Sequence, residues 1–171
     1  MQIRASVAED FPQIFTIINE AAQAYRGVIP ADRWHDPYMS AAELRKQIDE
    51  GVTFSLAEDE GRVLGVMGIQ DRGDVALVRH AYVATTVQRG GVGTRLLHHL
   101  QNLTHKPILI GTWADASWAI GFYLRNGFTL LTRDETARLL RKYWSIPDRQ
   151  VETSVVLADR RWLQSFGAMG A

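Results

Sequence analysis

Apolar residues recur at the spacing of an amphipathic helix in several parts of the chain. The first such segment runs from Phe11 to Tyr25, behind a Ser-Val-Ala-Glu sequence at 6–9 that is typical of a capping box, in which two side chains satisfy free N–H groups of a helix start. The helix before Asn126 would end at Gly127, because glycine accepts the left-handed conformation. Five start signals each predict a helix that follows them. They are three capping boxes at 6–9, 40–43 and 132–135, the glycine-rich segment at 88–93, and a cap on Asp115.

These helices alternate with runs of β-branched and other apolar residues that predict strands. The runs at 52–57 and 63–69 are joined across Glu58-Asp-Glu-Gly61, which is typical of a hairpin turn. Later runs lie at 75–84, 107–112, 128–131 and 151–157. Strands that first pair as hairpins and then alternate with helices indicate an α/β fold. Its mixed sheet would be antiparallel early and parallel around strands four and five, with helices on both faces.

Composition narrows the class of protein. With 171 residues, of which 46% are hydrophobic and 22% charged, the chain fits one globular domain over residues 1–171 and not a disordered or fibrous protein. Lys plus Arg and Asp plus Glu both total 19, so no net charge attracts nucleic acid or an anionic membrane. The lack of cysteine excludes disulfides, a thiolate nucleophile and cysteine-based metal sites. The N-terminus has no apolar leader and no run reaches the ~18 apolar residues of a membrane span, so we expect a cytoplasmic protein.

A glycine-rich turn between the fourth strand and the following helix carries the chemistry. Residues 88–94 read Gln-Arg-Gly-Gly-Val-Gly-Thr. Glycines let the backbone approach an anion closely, and the unpaired N–H groups of a helix start attract negative charge together with the helix dipole. A P-loop would need Lys and then Ser or Thr after its last glycine, where this chain has Thr94-Arg95, and the Rossmann fingerprint follows a first strand. The sequence therefore predicts a pyrophosphate site of another kind.

This turn resembles the acyl-CoA pyrophosphate loop of the GCN5-related N-acetyltransferase (GNAT) superfamily, whose pattern Q/R-x-x-G-x-G/A is matched by Gln88, Gly91 and Gly93. Residues 119–128, Ala-Ile-Gly-Phe-Tyr-Leu-Arg-Asn-Gly-Phe, resemble the A-x-x-F-Y-x-x-x-G-F segment of the same superfamily. The resemblance in element order covers the chain up to a tail from about Asp159. It implies a GNAT-like acyl-CoA N-acyltransferase fold, with a central mixed sheet of about seven strands and splayed parallel strands four and five. It also implies acetyl-CoA as co-substrate.

The same resemblance implies the residues that bind CoA. Backbone groups of Tyr82 and Val83 would bind the pantetheine arm, which lies along strand four like an added strand. Ala116 departs from the family at one CoA contact, because many relatives have an asparagine there. The pyrophosphate would be held by Gln88, Arg89, Gly90, Gly91, Val92, Gly93 and Thr94.

Two side chains are candidates for proton transfer. The resemblance implies that Tyr123 is the general acid that protonates, or hydrogen-bonds, the departing CoA thiolate; packing of Phe122 and Tyr123 in the core is the alternative. The attacking amine must be neutral, and His80 on strand four is the candidate general base, since a histidine with pKa ~6.5 can accept a proton at neutral pH. A buried core histidine is the alternative for His80. Leu77 stands where some relatives carry a glutamate base.

Trp34, His35 and Trp113 are candidate contacts to the acceptor amine, because the family places the loop between the first two helices beside the acceptor cleft. The alternative is that these aromatic residues pack in a small hydrophobic cluster beneath the long loop, apart from the main core. No metal is expected, since the adjacent histidines His98 and His99 of one predicted helix point about 100° apart.

Together these observations predict an acetyl-CoA-dependent N-acetyltransferase, in which a primary amine of a small molecule or a protein attacks the thioester directly in a ternary complex. The alternative is a non-catalytic CoA-binding regulatory or structural module of the same fold. A nucleic-acid-binding domain has only Arg160, Arg161 and scattered arginines in its favour. The identity of the amine, a homodimer and the role of the tail from about Asp159 cannot be read from the sequence.

Overall fold

The computed structural model describes residues 1–167. Its strands are β1 (Gln2–Ala5), β2 (Val52–Asp59), β3 (Arg62–Asp71), β4 (Ala76–Val83), β5 (Ile108–Trp113), β6 (Thr129–Leu130) and β7 (Ser154–Ala158). Its α-helices are α1 (Phe11–Ala21), α2 (Ala41–Asp49), α3 (Val92–Leu103), α4 (Ser117–Arg125), α5 (Arg133–Tyr143), α6 (Asp148–Glu152) and α7 (Arg160–Phe166). The described strands form one seven-stranded sheet in the order β1-β2-β3-β4-β5-β7-β6.

The sheet is mixed, which confirms the predicted α/β class. β2 pairs antiparallel with β1 and β3, and β7 pairs antiparallel with β5 and β6, whereas β4 and β5 are parallel. Among the helices within residues 1–167, none has the length and apolar character that a membrane crossing requires.

The chain divides into two compact units, which are described separately below. The first contains Met1–Arg26, Trp34–Asp71 and Val78–His105. The second contains Gly27–Arg33, Arg72–Leu77 and the chain from Lys106 onwards. A single domain over residues 1–171 stays a prediction.

In the first unit, α1 and α2 pack on β2 and β3. Asp59 pairs with Arg62, so that Glu60 and Gly61 form a two-residue turn with φ values of 49° and 77°. Positive φ at both positions is the signature of a type I′ turn, whose twist matches that of the two strands, and the predicted hairpin is confirmed. The core of this unit includes Ile14, Ile17, Ile18, Leu44, Phe54, Leu56 and Val66.

Gly65 of β3 lets α3 approach the other face of the same strands. Adjacent residues of a strand point to opposite faces, and Val66 belongs to the core under α1 and α2. A Cβ atom on Gly65 would lie 3.1 Å from both Leu96 Cδ1 and Val92 Cγ1 of α3. Because Val92 is the first residue of α3, Gly65 helps to set the position of the glycine-rich segment that precedes the helix.

At two of the three predicted capping boxes, the hydrogen bond to the N-cap side chain is confirmed. Ser40 Oγ accepts a hydrogen bond from Glu43 N at 3.1 Å, and Thr132 Oγ1 accepts one from Glu135 N at 3.3 Å. The capping box predicted at 6–9 is wrong. There, a carboxylate oxygen of Asp10 accepts from Val7 N at 2.7 Å, and α1 starts at Phe11, directly after Asp10.

Arg4 explains why Asp10 replaces the predicted cap. Its guanidinium donates to both carboxylate oxygens of Asp10, at 2.7 and 2.9 Å, and its Nε donates to Glu58 at 2.8 Å. The hydrogen bonds from Arg4 are the main cause that lowers the pKa of Asp10, which is only 4% exposed. This network ties β1 and β2 to the start of α1.

Asn19 of α1 holds the end of the loop that connects α1 to α2. Its Nδ2 donates to the carbonyl oxygens of Phe15 and Met39, each at 3.0 Å, and its Oδ1 accepts from Met39 N at 2.9 Å. The side-chain amide thus pairs with both backbone groups of Met39, as a neighbouring strand would. Met39 directly precedes Ser40, the N-cap of α2.

In the second unit, β5 and β7 share a core with α5, α6 and α7. The strand predicted over 151–157 is partly wrong, because Val151 lies in α6 and β7 starts at Ser154. The carbonyl of Pro147 accepts from the N–H groups of Gln150 and Val151, at 2.9 and 3.1 Å, which closes a helical turn. From that helix Val151 still reaches the core, where it is 1% exposed.

The described part of the tail from Asp159 belongs to this second core. Asp159 Oδ1 accepts from Trp162 N at 3.1 Å and caps α7. Trp162 is 3% exposed and packs with Phe166 at a ring distance of 5.9 Å. The tail up to Phe166 therefore contributes to folding of this unit.

Candidate functional site

The glycine-rich segment leads into α3 through a left-handed glycine. Gly91 is the N-cap residue at φ 80°, and its carbonyl accepts from Arg95 N at 3.1 Å. No side chain within the described residues caps this helix, as is also the case for α1, α4 and α6, whereas α2, α5 and α7 have side-chain caps. The N–H groups of the first helical turn have no partner within a helix by geometry, so they are arranged to bind negative charge.

The residues just before Gly91 hold this segment in an irregular conformation. Arg89 has φ 70°, in the left-handed region, and Gly90 N donates to Val87 O at 3.3 Å. The side chain of Gln88 turns back, and its Nε2 donates to Val83 O at 3.3 Å. Residues 88–91 are exposed. Alternating backbone conformations of this kind form a concave nest of N–H groups.

Tyr82 and Val83 end β4, directly before this segment, and both are half-buried. The ring of Tyr82 packs edge-on against Tyr25 at a centroid distance of 6.3 Å. The backbone that the resemblance assigns to the pantetheine arm is therefore held in place by packing of the neighbouring ring.

His80 occupies an unusual position in β4. It has φ 55°, in the left-handed region, so its backbone departs locally from the extended conformation although β4 continues through it. Its ring stacks on Phe54 at 6.2 Å, and its Nε2 contacts Gln47 Oε1. Burial, with a further contribution from Arg79, lowers the pKa of His80 from 6.5 to about 3. The imidazole is thus neutral at neutral pH, and it is a weaker base than the sequence predicts.

Tyr123 lies in the second unit, on α4, and is 6% exposed. Its ring packs against Phe122 and Phe128 at centroid distances of 5.1 and 5.9 Å. Its carbonyl accepts from the N–H groups of Asn126 and Phe128, each at 3.1 Å. Gly127 has φ 85°, which confirms the predicted left-handed end of this helix. This segment therefore holds the tyrosine rigidly by packing and by its backbone.

The three aromatic candidates for the acceptor differ in their surroundings. The ring of Trp34 lies near the Arg26 guanidinium and the Tyr38 ring, at 5.7 and 5.8 Å, and its buried Nε1 has no hydrogen-bond partner among residues 1–167. A buried donor without a partner costs about 1–3 kcal/mol, so a ligand or water that accepts from Nε1 would be stabilised. His35 is exposed, and Trp113 ends β5 in the second unit with 9% exposure.

Sequence reasoning missed the polar side chains next to His80. Gln47 of α2 and Gln70 of β3 both accept from Arg79 of β4, at 3.4 and 2.9 Å. No short motif links residues so far apart in the chain. The available signal was a local one: an arginine and a histidine stand together in an otherwise apolar strand.

Comparisons with known proteins bear on the family and on the fold. Residues 18–139 match the model of the acetyltransferase (GNAT) domain. No match was found among curated proteins. In fold the chain is similar to paia N-acetyltransferase from Thermoplasma acidophilum in complex with coenzyme A, with a TM-score of 0.68 and 16% identity over 92% of this chain and 97% of that one.

Two other solved structures share the fold. The ribosomal-protein-S18-alanine N-acetyltransferase from Escherichia coli has a TM-score of 0.64 and 19% identity, over 92% of each chain. N-acetylglutamate synthase from Neisseria gonorrhoeae, complexed with coenzyme A and N-acetyl-glutamate, has a TM-score of 0.62 and 21% identity over 94% of this chain and 35% of that one. Since the family model spans most of the sequence and the fold agrees with it, the chain belongs to the GNAT acetyltransferase family.

Proposed function

We propose that this protein transfers the acetyl group of acetyl-CoA to a primary amine by direct attack in a ternary complex. The observation that carries the proposal is the start of α3, where left-handed Gly91 and a helix end without a side-chain cap present N–H groups to an anion. Family membership supports the same reading, as do the two neighbours whose structures contain coenzyme A.

In this proposal residues 88–94 bind the pyrophosphate, and backbone groups of Tyr82 and Val83 bind the pantetheine arm. The negative charge of the pyrophosphate would be stabilised by the helix dipole and by Arg89. No metal has a role in the proposed reaction.

The proposed reaction needs one bond to form and one to break at the thioester carbonyl. The amine nitrogen attacks the carbonyl carbon, the carbon–sulfur bond breaks, and the thiolate takes a proton from the Tyr123 hydroxyl. The amine gives up a proton to water, and water returns a proton to the Tyr123 phenolate, so that the products are the amide and free CoA thiol. Because the pKa of His80 is about 3, its contribution would be to accept a hydrogen bond from the amine or a water rather than to hold the proton.

The acceptor amine would contact Trp34, His35 and Trp113. The buried Nε1 of Trp34, without a partner among residues 1–167, supports an acceptor that carries a hydrogen-bond-accepting group. The acceptor is otherwise a small-molecule or protein amine. A cytoplasmic location and the absence of nucleic-acid or membrane partners stay predictions.

A two-step experiment tests the function. Acetyl-CoA is first titrated into the protein by calorimetry, and a library of primary amines is then screened for release of free CoA thiol. We expect saturable binding and thiol release with a subset of amines. Binding without release from any amine would favour the non-catalytic CoA-binding module, and absence of binding would refute both readings.

A further inference from the structure

A continuous chain of polar side chains joins β3, β4 and α2 around His80. Gln70, which is 4% exposed, donates from Nε2 to the carbonyl oxygen of Glu50 at 3.1 Å. Arg79 donates from Nη1 to Gln70 Oε1 at 2.9 Å and from Nη2 to Gln47 Oε1 at 3.4 Å. The same oxygen of Gln47 contacts Nε2 of His80.

Which atom donates and which accepts in each hydrogen bond of this network follows from the first bond, between Gln70 and the carbonyl of Glu50. A backbone carbonyl can only accept, so the end of Gln70 that faces Glu50 is its NH₂ group, and its oxygen faces Arg79. A guanidinium can only donate, so the end of Gln47 that faces Arg79 is also an oxygen. Because this oxygen can only accept, the His80 nitrogen that faces it must carry a hydrogen.

We propose that Gln47 is a positioning residue that holds neutral His80 in the tautomer with hydrogen on Nε2, so that Nδ1 is the ring nitrogen left to accept. The part of this proposal that concerns turnover rests on the proposed function, whereas the tautomer is a property of the free protein. The left-handed backbone of His80 and its stacking on Phe54 restrict the ring further.

Burial, and after it the positive charge of Arg79, keep His80 neutral, which makes its tautomer decisive. Arg79 precedes it in β4 and disfavours a second positive charge. Gln70 and Phe54, from β3 and β2, are uncharged. On α2 the nearest member of the network with a charge is Glu43, whose Oε1 accepts from Gln47 Nε2 at 3.5 Å. A neutral imidazole has a single N–H, and Gln47 thus decides which nitrogen is free.

The tautomer is measured directly by ¹⁵N NMR of protein labelled in histidine, at pH 7 and without ligands. His80→Asn, which tolerates the left-handed backbone, identifies the His80 signals among those of the five histidines. We expect a protonated, pyrrole-like Nε2 and an unprotonated, pyridine-like Nδ1. Hydrogen on Nδ1 in the wild-type protein would overturn the proposal.

Two substitutions of Gln47 separate its acceptor from its bulk. Gln47→Met removes the acceptor and should give a mixture of both tautomers. Gln47→Glu keeps the acceptor and adds a negative charge, so the tautomer should persist while the pKa of His80 rises by about 1 to 3. As a control, Lys46→Met introduces methionine at the preceding residue, which is exposed, and it should leave the His80 signals as in the wild type. A wild-type tautomer in Gln47→Met would count against the role of Gln47.

Turnover is then compared with the amine identified by the screen. Loss of one hydrogen bond of ordinary strength should reduce kcat/KM of Gln47→Met about 5- to 10-fold, with the affinity for acetyl-CoA unchanged. Equal kcat/KM despite a changed tautomer would refute the role in turnover. If the wild-type protein transfers no acetyl group while the tautomer is as stated, the proposed function fails and the assignment of Gln47 as a positioning residue stands.

Discussion

Replacement of Gly91 by aspartate tests the pyrophosphate site most directly. A Cβ atom on Gly91 would meet nothing within 4 Å, so the new side chain fits without a clash. Two costs follow. The left-handed backbone at φ 80° disfavours a residue with a Cβ by up to about 1–2 kcal/mol, least for Asp and Asn, and this cost falls on folding. The carboxylate repels the pyrophosphate, and this cost falls on binding.

The cost on binding can be estimated from Coulomb's law. Two like charges about 4 Å apart repel each other by ~1 kcal/mol in bulk water and ~4 kcal/mol at an effective dielectric constant of ~20. Because residues 88–91 are exposed, we take an intermediate value. A penalty of about 1.5–3 kcal/mol corresponds to a loss of roughly 10- to 100-fold in affinity for acetyl-CoA.

Two further variants isolate the charge. Gly91→Asn has the same shape and backbone strain without the charge, so it should lose less affinity than Gly91→Asp, and the difference should shrink at high salt. Gly61→Asp places the same residue at a left-handed position, φ 77°, in the β2–β3 turn, where a Cβ also meets nothing within 4 Å. It should destabilise the fold without affecting binding. A folded Gly91→Asp variant with wild-type affinity in calorimetry would refute the assignment of this segment.

Three other predictions concern proton transfer and stability. Tyr123→Phe keeps the packing with Phe122 and Phe128 but removes the hydroxyl, so kcat should fall about 10²- to 10⁴-fold at nearly constant acetyl-CoA affinity; equal turnover in a thiol-release assay would exclude a general acid here. Because the pKa of His80 is about 3, the rise of kcat/KM with pH above neutral should follow the pKa of each acceptor amine. A limb fixed near pH 6–7 that disappears in His80→Asn would contradict this. Asp10→Asn should lower the free energy of unfolding by about 2–4 kcal/mol in denaturant titrations, because Arg4 loses its buried partner. Since the pKa of Asp10 is lower in the folded state than its ordinary 3.8, this stabilisation is complete above that pH and is lost as pH falls below it. Equal acid sensitivity of the two proteins would disprove that role.

Features that depend on neighbouring residues could be predicted from the sequence. The turn at Glu60 and Gly61, the N-caps Ser40 and Thr132 and the left-handed Gly127 each follow from the preferences of a few adjacent residues. The left-handed backbone of Gly91 at the start of α3 belongs to the same class, since the glycine spacing alone indicates it.

Features that depend on distant residues could not be predicted. The cap of α1 changed because Arg4, bound to Glu58 from another strand, attracts Asp10. Val151 was assigned to a strand because burial looks the same from either element, and only the turn at Pro147 decides for a helix. The pKa of His80 was missed for the same reason: burial and Arg79 set it, and a sequence does not report burial of one ring.

The pairing of Asn19 with Met39 has a consequence for how far the loop between α1 and α2 can vary. Because a side chain of α1 holds both backbone groups of Met39, the end of the loop is anchored independently of most residues between 22 and 38. Substitutions or length changes in that stretch, which includes Trp34 and His35, can alter the surface of the loop while α1 and α2 keep their positions. The loop can therefore vary in sequence and length, because the hydrogen bonds between Asn19 and Met39 hold its end beside α1.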